Sequence, residues 1–244
     1  MSKVRICAIS DMHGILPENI EPCDILFIGG DISPFDIQLN MLAMREWITT
    51  TFAYWINSLP VDKVYLVPGN HDFYFQGLAR YKLLEFLQST HFKVCVLENE
   101  SALYRCEDGS RISIFGTPYC HIFGRWAYMR APDYLKEAFS EIPEEVDIIL
   151  AHDAPFNVGG QDVMTELPRH REQPGHIGNP ELAERLGQIK YKWLIHGHIH
   201  SSEHIPEEFN GGLVVNVSLM NEECSDLIYE PFYFEFETWN TLIL

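Results

Sequence analysis

Trp193-Leu194-Ile195-His196-Gly197-His198-Ile199-His200 is an aromatic and aliphatic run that ends abruptly in three histidines around one glycine. The apolar part reads as a buried strand. The glycine marks a sharp turn, where backbone approaches something closely. His198 and His200 stand two apart, so a loop leaving the strand can aim both at one point. Alone, a His-x-His pair is a weak metal signal. Four earlier stretches share its anatomy, an apolar strand followed by a short turn carrying Asp, His or Asn. They are Ile9-Ser10-Asp11-Met12-His13, Phe27-Ile28-Gly29-Gly30-Asp31, Val67-Pro68-Gly69-Asn70-His71-Asp72 and Ile149-Leu150-Ala151-His152-Asp153.

Outward from these turns the chain alternates strands and helices. Strands are expected at Val4 to Ile9, Asp24 to Ile28, Val64 to Val67, Asp147 to Leu150 and Trp193 to Ile195. Between them, Ile37 to Leu59 has helical spacing, as one helix or as two separated near Thr49-Thr50-Thr51. Leu78 to Leu87, Pro132 to Ser140 and Glu181 to Ile189 also read as helices, the second with Pro at its start. Lys93 to Leu97, Ser101 to Arg105 and Arg111 to Phe115 are strand-like, and Glu107-Asp108-Gly109 turns the last two into a hairpin. Val214 to Val217 and Ile228 to Phe236 close the chain as strands. Phe156 to Pro180 is long, irregular and rich in Gly, Pro and His, the composition of a functional loop.

Interleaved helices and strands imply a partly parallel sheet covered by helices, and the hairpins imply a second sheet packed on the first. Residues 1–244 read as one α/β domain, without repeat or linker. In such sheets sites gather at the carboxyl ends of strands, where all five polar turns lie.

The totals fit a cytoplasmic globule. With 46% hydrophobic and 21% charged residues the 244-residue chain can build a core. A formal charge of -18 repels polyanions, which argues against long nucleic acid and anionic membrane as partners. No segment reaches membrane-spanning length. The six cysteines form no C-x-x-C and read as buried free thiols.

Two Asp, one Asn and four or five His at these strand ends together form an N/O ligand set. It suits Mn, Fe, Zn or Co and does not suit a thiolate zinc finger. The number of ligands suits two ions, with Asp31 bridging through its two oxygens. Two cations about 3.5–4 Å apart clamp a phosphate ester and acidify a bridging water. His196, one residue before the turn glycine, reads as packing or as a support behind the ligands.

The series Asp-x-His, Gly-Asp, Gly-Asn-His-Asp, His, Gly-His-x-His resembles the calcineurin-like metallophosphoesterase superfamily, with all its blocks present in order from residue 11 to residue 200. Ile114 to Tyr119, Trp126-Ala127 and Asn216-Val217-Ser218 resemble its small single-domain branch, whose members include weak cyclic-nucleotide phosphodiesterases. The resemblance implies a four-layer α/β/β/α sandwich of two mixed sheets flanked by helices. It implies one metal held by Asp11, His13, Asp31 and His200, and a second held by Asp31, Asn70, His152 and His198. The cofactors would be two divalent or trivalent ions, Mn, Fe or Zn. The implied reaction is hydrolysis of a small phosphomonoester or phosphodiester by attack of a metal-bridging hydroxide, with His71 protonating the leaving alkoxide.

Two departures stand out. Asp72 occupies a position where Glu is common. Asp31 is followed by Ile32-Ser33-Pro34 rather than the Asp-Arg-Gly of serine/threonine protein phosphatases, which removes their carboxylate orienter and argues against that activity. Asp36 is then the candidate orienter of His71. For the substrate pocket, His121, His170 and His176 are candidates for phosphate or base contact, and Arg125 and Arg169 for phosphate oxygens. The competing reading is a non-catalytic binding scaffold on the same fold. Relatives of that kind typically have ligand positions replaced, and none is replaced here. A β-lactamase-type zinc hydrolase would need a tight His-x-His-x-Asp-His run, which the chain lacks. Physiological substrate and oligomeric state have no sequence signature.

Overall fold

A computed structural model describes residues 2–76, 93–165 and 175–238. Its first sheet is built from β1 (Lys3–Ile9), β2 (Cys23–Ile28), β3 (Val61–Leu66), β4 (Val94–Val96) and the last strand, β15 (Phe232–Glu237). The spatial order is β15-β1-β2-β3-β4, parallel except for the antiparallel β15 edge. The second sheet uses β5 (Glu100–Arg105), β6 (Arg111–Thr117), β9 (Glu145–Ala151), β12 (Lys190–His196), β13 (Glu207–Phe209) and β14 (Gly212–Asn216). Its order is β13-β14-β12-β9-β6-β5, with a parallel centre and antiparallel hairpin edges. Two short pairs complete the strands: β7 (Cys120–His121) with β8 (Met129–Arg130), and β10 (Val163–Met164) with β11 (Gly175–His176).

Alternation along each strand explains the layers. Val4, Ile6, Ala8, Ile25, Phe27 and Tyr65 face Ile112, Ile114, Ile148, Leu150, Ile195 and Val215 in one inter-sheet core. The residues between them, such as Cys7, Ile9, Leu26, Ile28, Ile149 and Leu194, join helix side chains in a second cluster. Strands apolar on both faces must be covered on both faces, as in parallel sheets generally. The helical stretch 41–58 lies on the crossover from β2 to β3. The helices Pro132–Ser140 and Pro180–Leu186 lie on crossovers within the second sheet. The result is the expected α/β/β/α arrangement of two mixed sheets flanked by helices.

The stretch read as one or two helices is a single run with a π-helical middle. Met41–Trp47 is capped by Asn40, whose side chain accepts from the amides of Leu42 and Ala43, so the helix starts later than Ile37. Ile48–Phe52 then widens before Ala53–Ser58 resumes the α form. There Thr49 Oγ1 donates to the Arg45 carbonyl at 2.8 Å and Thr50 Oγ1 to the Glu46 carbonyl at 2.7 Å. Threonine hydroxyls that bond back to the previous turn loosen helical register. The Leu78 to Leu87 helix expectation lies outside the described residues. All six cysteines are free thiols. No described helix is long and apolar enough to cross a membrane.

The two sheets are joined at the end that carries the polar turns. Ser10, just past β1, bridges in parallel to Ser218, just past β14, and the Leu219 amide donates to the Ser10 carbonyl at 2.9 Å. This pairing places the turn after β1 beside the segment that follows β14, the parallel neighbour of β12.

Candidate metal centre

All seven expected ligands converge where the parallel strands end. Asp11, Asp31, Asn70 and His152 are 0–2% exposed, and His13 and His200 are 6% and 7% exposed. Their backbone is bent to fit: Asp11, His13, Asp31 and His198 have φ of 53°, 42°, 50° and 75°. Left-handed φ at a non-glycine residue is uncommon and is tolerated best by Asn, Asp and His. Gly69 and Gly197 permit close approach, because a Cβ at either would run into the carboxylate of Asp31 or of Asp11.

Two groups of donor atoms share one oxygen. In the first, His13 Nε2 lies 3.9 Å from Asp31 Oδ2, and His200 Nε2 lies 3.3 Å from Asp11 Oδ1. Asp11, His13 and Asp31 place their ligand atoms within 4.8 Å of one another. In the second, His152 Nε2 is 3.4 Å from the same Asp31 Oδ2 and 2.8 Å from Asn70 Oδ1. The His198 ring stands 5.0 Å from that of His152, centre to centre. Asp31 is the expected bridge because a carboxylate has two oxygens. The structure commits Oδ1 to the His71 backbone amide at 2.7 Å and leaves Oδ2 alone between the two groups.

The hydrogen bonds fit a cation at each group. Asp11 Oδ2 accepts from the His198 amide at 2.9 Å and from Ser218 Oγ at 2.8 Å, whereas Oδ1 is buried without a hydrogen-bond partner. The Gly29 carbonyl can only accept, so His152 Nδ1, 2.7 Å away, carries the proton. Nε2 of the neutral ring is then a lone pair aimed at Asn70 Oδ1, an acceptor facing an acceptor. His200 Nδ1 likewise donates to the Asn221 carbonyl at 3.0 Å, which frees Nε2. Backbone carbonyls behind ligand histidines fix the tautomer a metal needs. Electrostatics agrees. Burial opposes a charge on His152, but the carboxylates of Asp31 and Asp11 outweigh it and push the imidazole up to about 10. Without cations, protons are the countercharge these carboxylates recruit. The donors are nitrogens and oxygens, as hard or borderline metals prefer.

Around this centre lies a cleft of about 440 Å³ lined by His71, His121, Phe35, Phe123, Trp126 and Glu222 among others. His71 stands with its ring 4.4 Å from that of Trp126 and 5.0 Å from that of His13. Burial lowers its pKa against the attraction of Asp31. Its Nδ1 lies 2.8 Å from Oε1 of Gln38. Asp36, the orienter suggested by sequence, is exposed. His121 is held through its amide and its Nδ1, both 3.0 Å from Asp153 Oδ2. Burial opposes its protonation, but Asp153 raises its pKa overall.

Other candidates are placed elsewhere. His176 is not among the residues lining the cleft; its Nδ1 lies 2.7 Å from Asp162 Oδ1, and its neighbour Ile177 lines the cleft instead. Arg125 is exposed and does not line the cleft. His170 and Arg169 lie outside the described residues. His196 is fully buried and kept neutral by burial, with a pKa lowered to about 4. Sequence reasoning missed four supporting residues. Asp153 Oδ1 stands 4.0 Å from His198 Nε2. Asp72 accepts from the amides of Gly69 at 2.8 Å and Ser33 at 3.0 Å, tying the Asn70 loop to the Asp31 loop. Cys120 lies beside His152 and His198, and Cys224 beside His13 and His200. Only Asp153 and Asp72 had a sequence signal, their places next to His152 and His71.

Residues 4–202 match the calcineurin-like phosphoesterase family, and the chain belongs to that family. It is similar to metallophosphoesterase domain-containing protein 1 of Homo sapiens, 23% identical over 216 residues that cover 80% of this chain and 60% of that protein. It is also similar to a probable rhamnogalacturonate lyase C of Emericella nidulans, 26% identical over 200 residues that cover 81% of this chain and 17% of that protein. The chain thus spans less than two thirds of the length of either curated relative. One solved structure superposes with a TM-score of 0.63 at 17% identity, over 88% of this chain and 90% of that one. That likeness is one of fold.

Proposed function

We propose that the cleft is the active site of a two-metal phosphoesterase acting on a small phosphate ester. The observation that carries this reading is Asp31 Oδ2, a single buried oxygen facing both His13 Nε2 and His152 Nε2. In this reading Asp11, His13, Asp31 and His200 hold one ion, and Asp31, Asn70, His152 and His198 hold the other. The nitrogen and oxygen donors admit Mn, Fe or Zn. When bound, the pair of ions supplies Lewis-acid charge and a water acidic enough to attack phosphorus at neutral pH.

The chain's own groups supply the rest. His71 lines the cleft beside both ligand groups but belongs to neither. With Nδ1–H engaged by Gln38, the Nε2–H of the protonated ring gives its proton to the departing alkoxide, which leaves the neutral Nδ1–H imidazole. His121, its pKa raised by Asp153, offers positive charge to a phosphate oxygen. Phe35, Phe123 and Trp126 give the cleft apolar walls that suit a ring-bearing ester group. A net charge of -18 favours a small substrate over a polyanion.

The test is turnover of bis-p-nitrophenyl phosphate by protein freed of metal and then reloaded with manganese. Activity that disappears on chelation and returns with about two equivalents of metal is the expected result. Stoichiometric metal without turnover of any ester in a panel of mono- and diesters would overturn the reading.

A further inference from the structure

We propose that Gln38 is a positioning residue for His71, fixing which ring nitrogen carries the proton and which faces the cleft. The inference rests on the acid role of His71 proposed above and adds a residue outside the polar turns that carry the expected ligands. Gln38 sits in the loop between β2 and the helix at Met41, 9% exposed. Its Nε2 donates to the Phe35 carbonyl at 3.2 Å, which settles the orientation of the amide. Oε1 is then the atom 2.8 Å from His71 Nδ1. A carbonyl oxygen only accepts, so Nδ1 must be the N–H, and neutral His71 carries its lone pair on Nε2.

Packing keeps the ring in that pose. Trp126 and Phe35 stand 4.4 and 4.9 Å from it, centre to centre, and the His71 amide is tied to Asp31 Oδ1 at 2.7 Å. A group that exchanges a proton with a leaving oxygen must present the exchanging nitrogen to it. With Nδ1 anchored on Gln38, Nε2 is the nitrogen presented to the cleft. An amide does this without charge. A carboxylate in the same place would add a further negative charge to a cleft already lined by Asp31 and Glu222. Gln38 therefore orients the ring while leaving the ionic balance to the ligand carboxylates.

Two variants separate this role from loop stability. Gln38→Leu removes both contacts, whereas Gln38→Glu keeps an acceptor for His71 Nδ1 and loses the donor to Phe35. The primary measurement is the His71 tautomer, read from long-range ¹H–¹⁵N spectra of zinc-loaded, histidine-labelled protein, with His71→Asn supplying the assignment. The Nδ1–H tautomer is expected in the native protein and in Gln38→Glu, and its loss in Gln38→Leu. In parallel, Gln38→Leu should lose about tenfold or more on an alkyl phosphodiester, within the roughly 10²–10⁴-fold a general acid supplies. Its loss on bis-p-nitrophenyl phosphate should be much smaller, and Gln38→Glu should restore the alkyl rate. A native Nε2–H tautomer, or a Gln38→Leu protein with unchanged tautomer and unchanged ratio of the two rates, overturns the proposal. Were His71→Asn to spare the alkyl ester, the acid role itself would fall, while the tautomer spectra would still decide what Gln38 does.

Discussion

Replacing Asp31 by Asn isolates the shared oxygen. The carboxylate uses Oδ1 for the His71 amide at 2.7 Å and turns Oδ2 toward His152 Nε2 at 3.4 Å and His13 Nε2 at 3.9 Å. An Asn side chain has one oxygen for these two tasks. If the oxygen keeps the His71 bond, an NH₂ group points at both metal positions, where an acceptor is required. If it turns over, the NH₂ faces the His71 N–H, and a hydrogen bond to a charged acceptor, worth about 1.5–3 kcal/mol, is lost. In the first case both metal positions lose their shared ligand, and in the second they keep only a neutral amide oxygen in place of a charged carboxylate. In the native protein, metal at a thousandfold excess over its dissociation constant adds about 4 kcal/mol by mass action. At roughly 2–4 °C per kcal/mol for a chain of this size, that is a rise of about 8–16 °C in melting temperature. Asp31→Asn should lose most of that rise. Its metal-free form should melt near the metal-free native protein, because one of the mutually repelling carboxylates is gone. The assay is calorimetry with and without manganese, alongside elemental analysis after desalting. An Asp31→Asn protein that retains two equivalents of metal and the full thermal shift would refute the shared-oxygen reasoning.

Further outcomes follow from other parts of the cleft. His71→Ala should keep its metals and its fold, and lose about 10²–10⁴-fold on alkyl esters but far less on nitrophenyl esters, as paired rate measurements would show. Gly197→Ala drives a Cβ into the Asp11 carboxylate and Ser10, so it should cost about 1–3 kcal/mol of stability and lower the metal content; denaturant unfolding and elemental analysis check both. Asp153 raises the His121 pKa above its unfolded value near 6.5, so their contact stabilises fully below about pH 6.5 and fades as pH rises through the folded pKa. The melting-temperature gap between native protein and His121→Gln should therefore be widest below about pH 6.5 and shrink as pH rises above it, and a constant gap would count against the ion pair.

Period-two alternation and turn residues made the architecture legible, because strands buried on both faces must read as apolar runs bounded by Gly, Pro, Asn and Asp. Pro132–Ser140 was found to its end residues, with Pro at its start and an apolar face of Leu135, Ala138 and Phe139. Val61–Leu66 was read as starting late because Asp62 and Lys63 interrupt its apolar run at the exposed end. Glu207–Phe209 was missed because an edge strand of three residues, two of them Glu, has no apolar signature. The ligand loops were legible because their chemistry is local, with residue types set at fixed offsets from a strand end. The supporting contacts were not. Gln38 reaches His71 across 33 positions, and Ser218 reaches Asp11 across 207. Such contacts depend on how one loop folds over another, and nothing in either segment announces its partner.

The bent backbone of the ligand residues shows how the fold accommodates the site. Four of the proposed ligands, Asp11, His13, Asp31 and His198, lie in the turns past the ends of parallel strands and have positive φ. In continued β conformation their side chains would alternate between the sheet faces. A left-handed residue turns the side chain across the strand end instead, toward the neighbouring strand's loop. Each such residue costs of order 1–3 kcal/mol and persists only where its surroundings over-determine it. Here the surroundings are explicit. The Asp11 amide is held by the Gly30 carbonyl at 3.0 Å, the His13 amide by the Asp31 carbonyl at 2.9 Å, and the His198 amide by Asp11 Oδ2 at 2.9 Å. Each loop is thus braced by the next, and the last bracing oxygen belongs to a ligand carboxylate. Neutralising that carboxylate with a cation and holding the His198 loop in place are therefore coupled, so ligand geometry and loop conformation should be lost together.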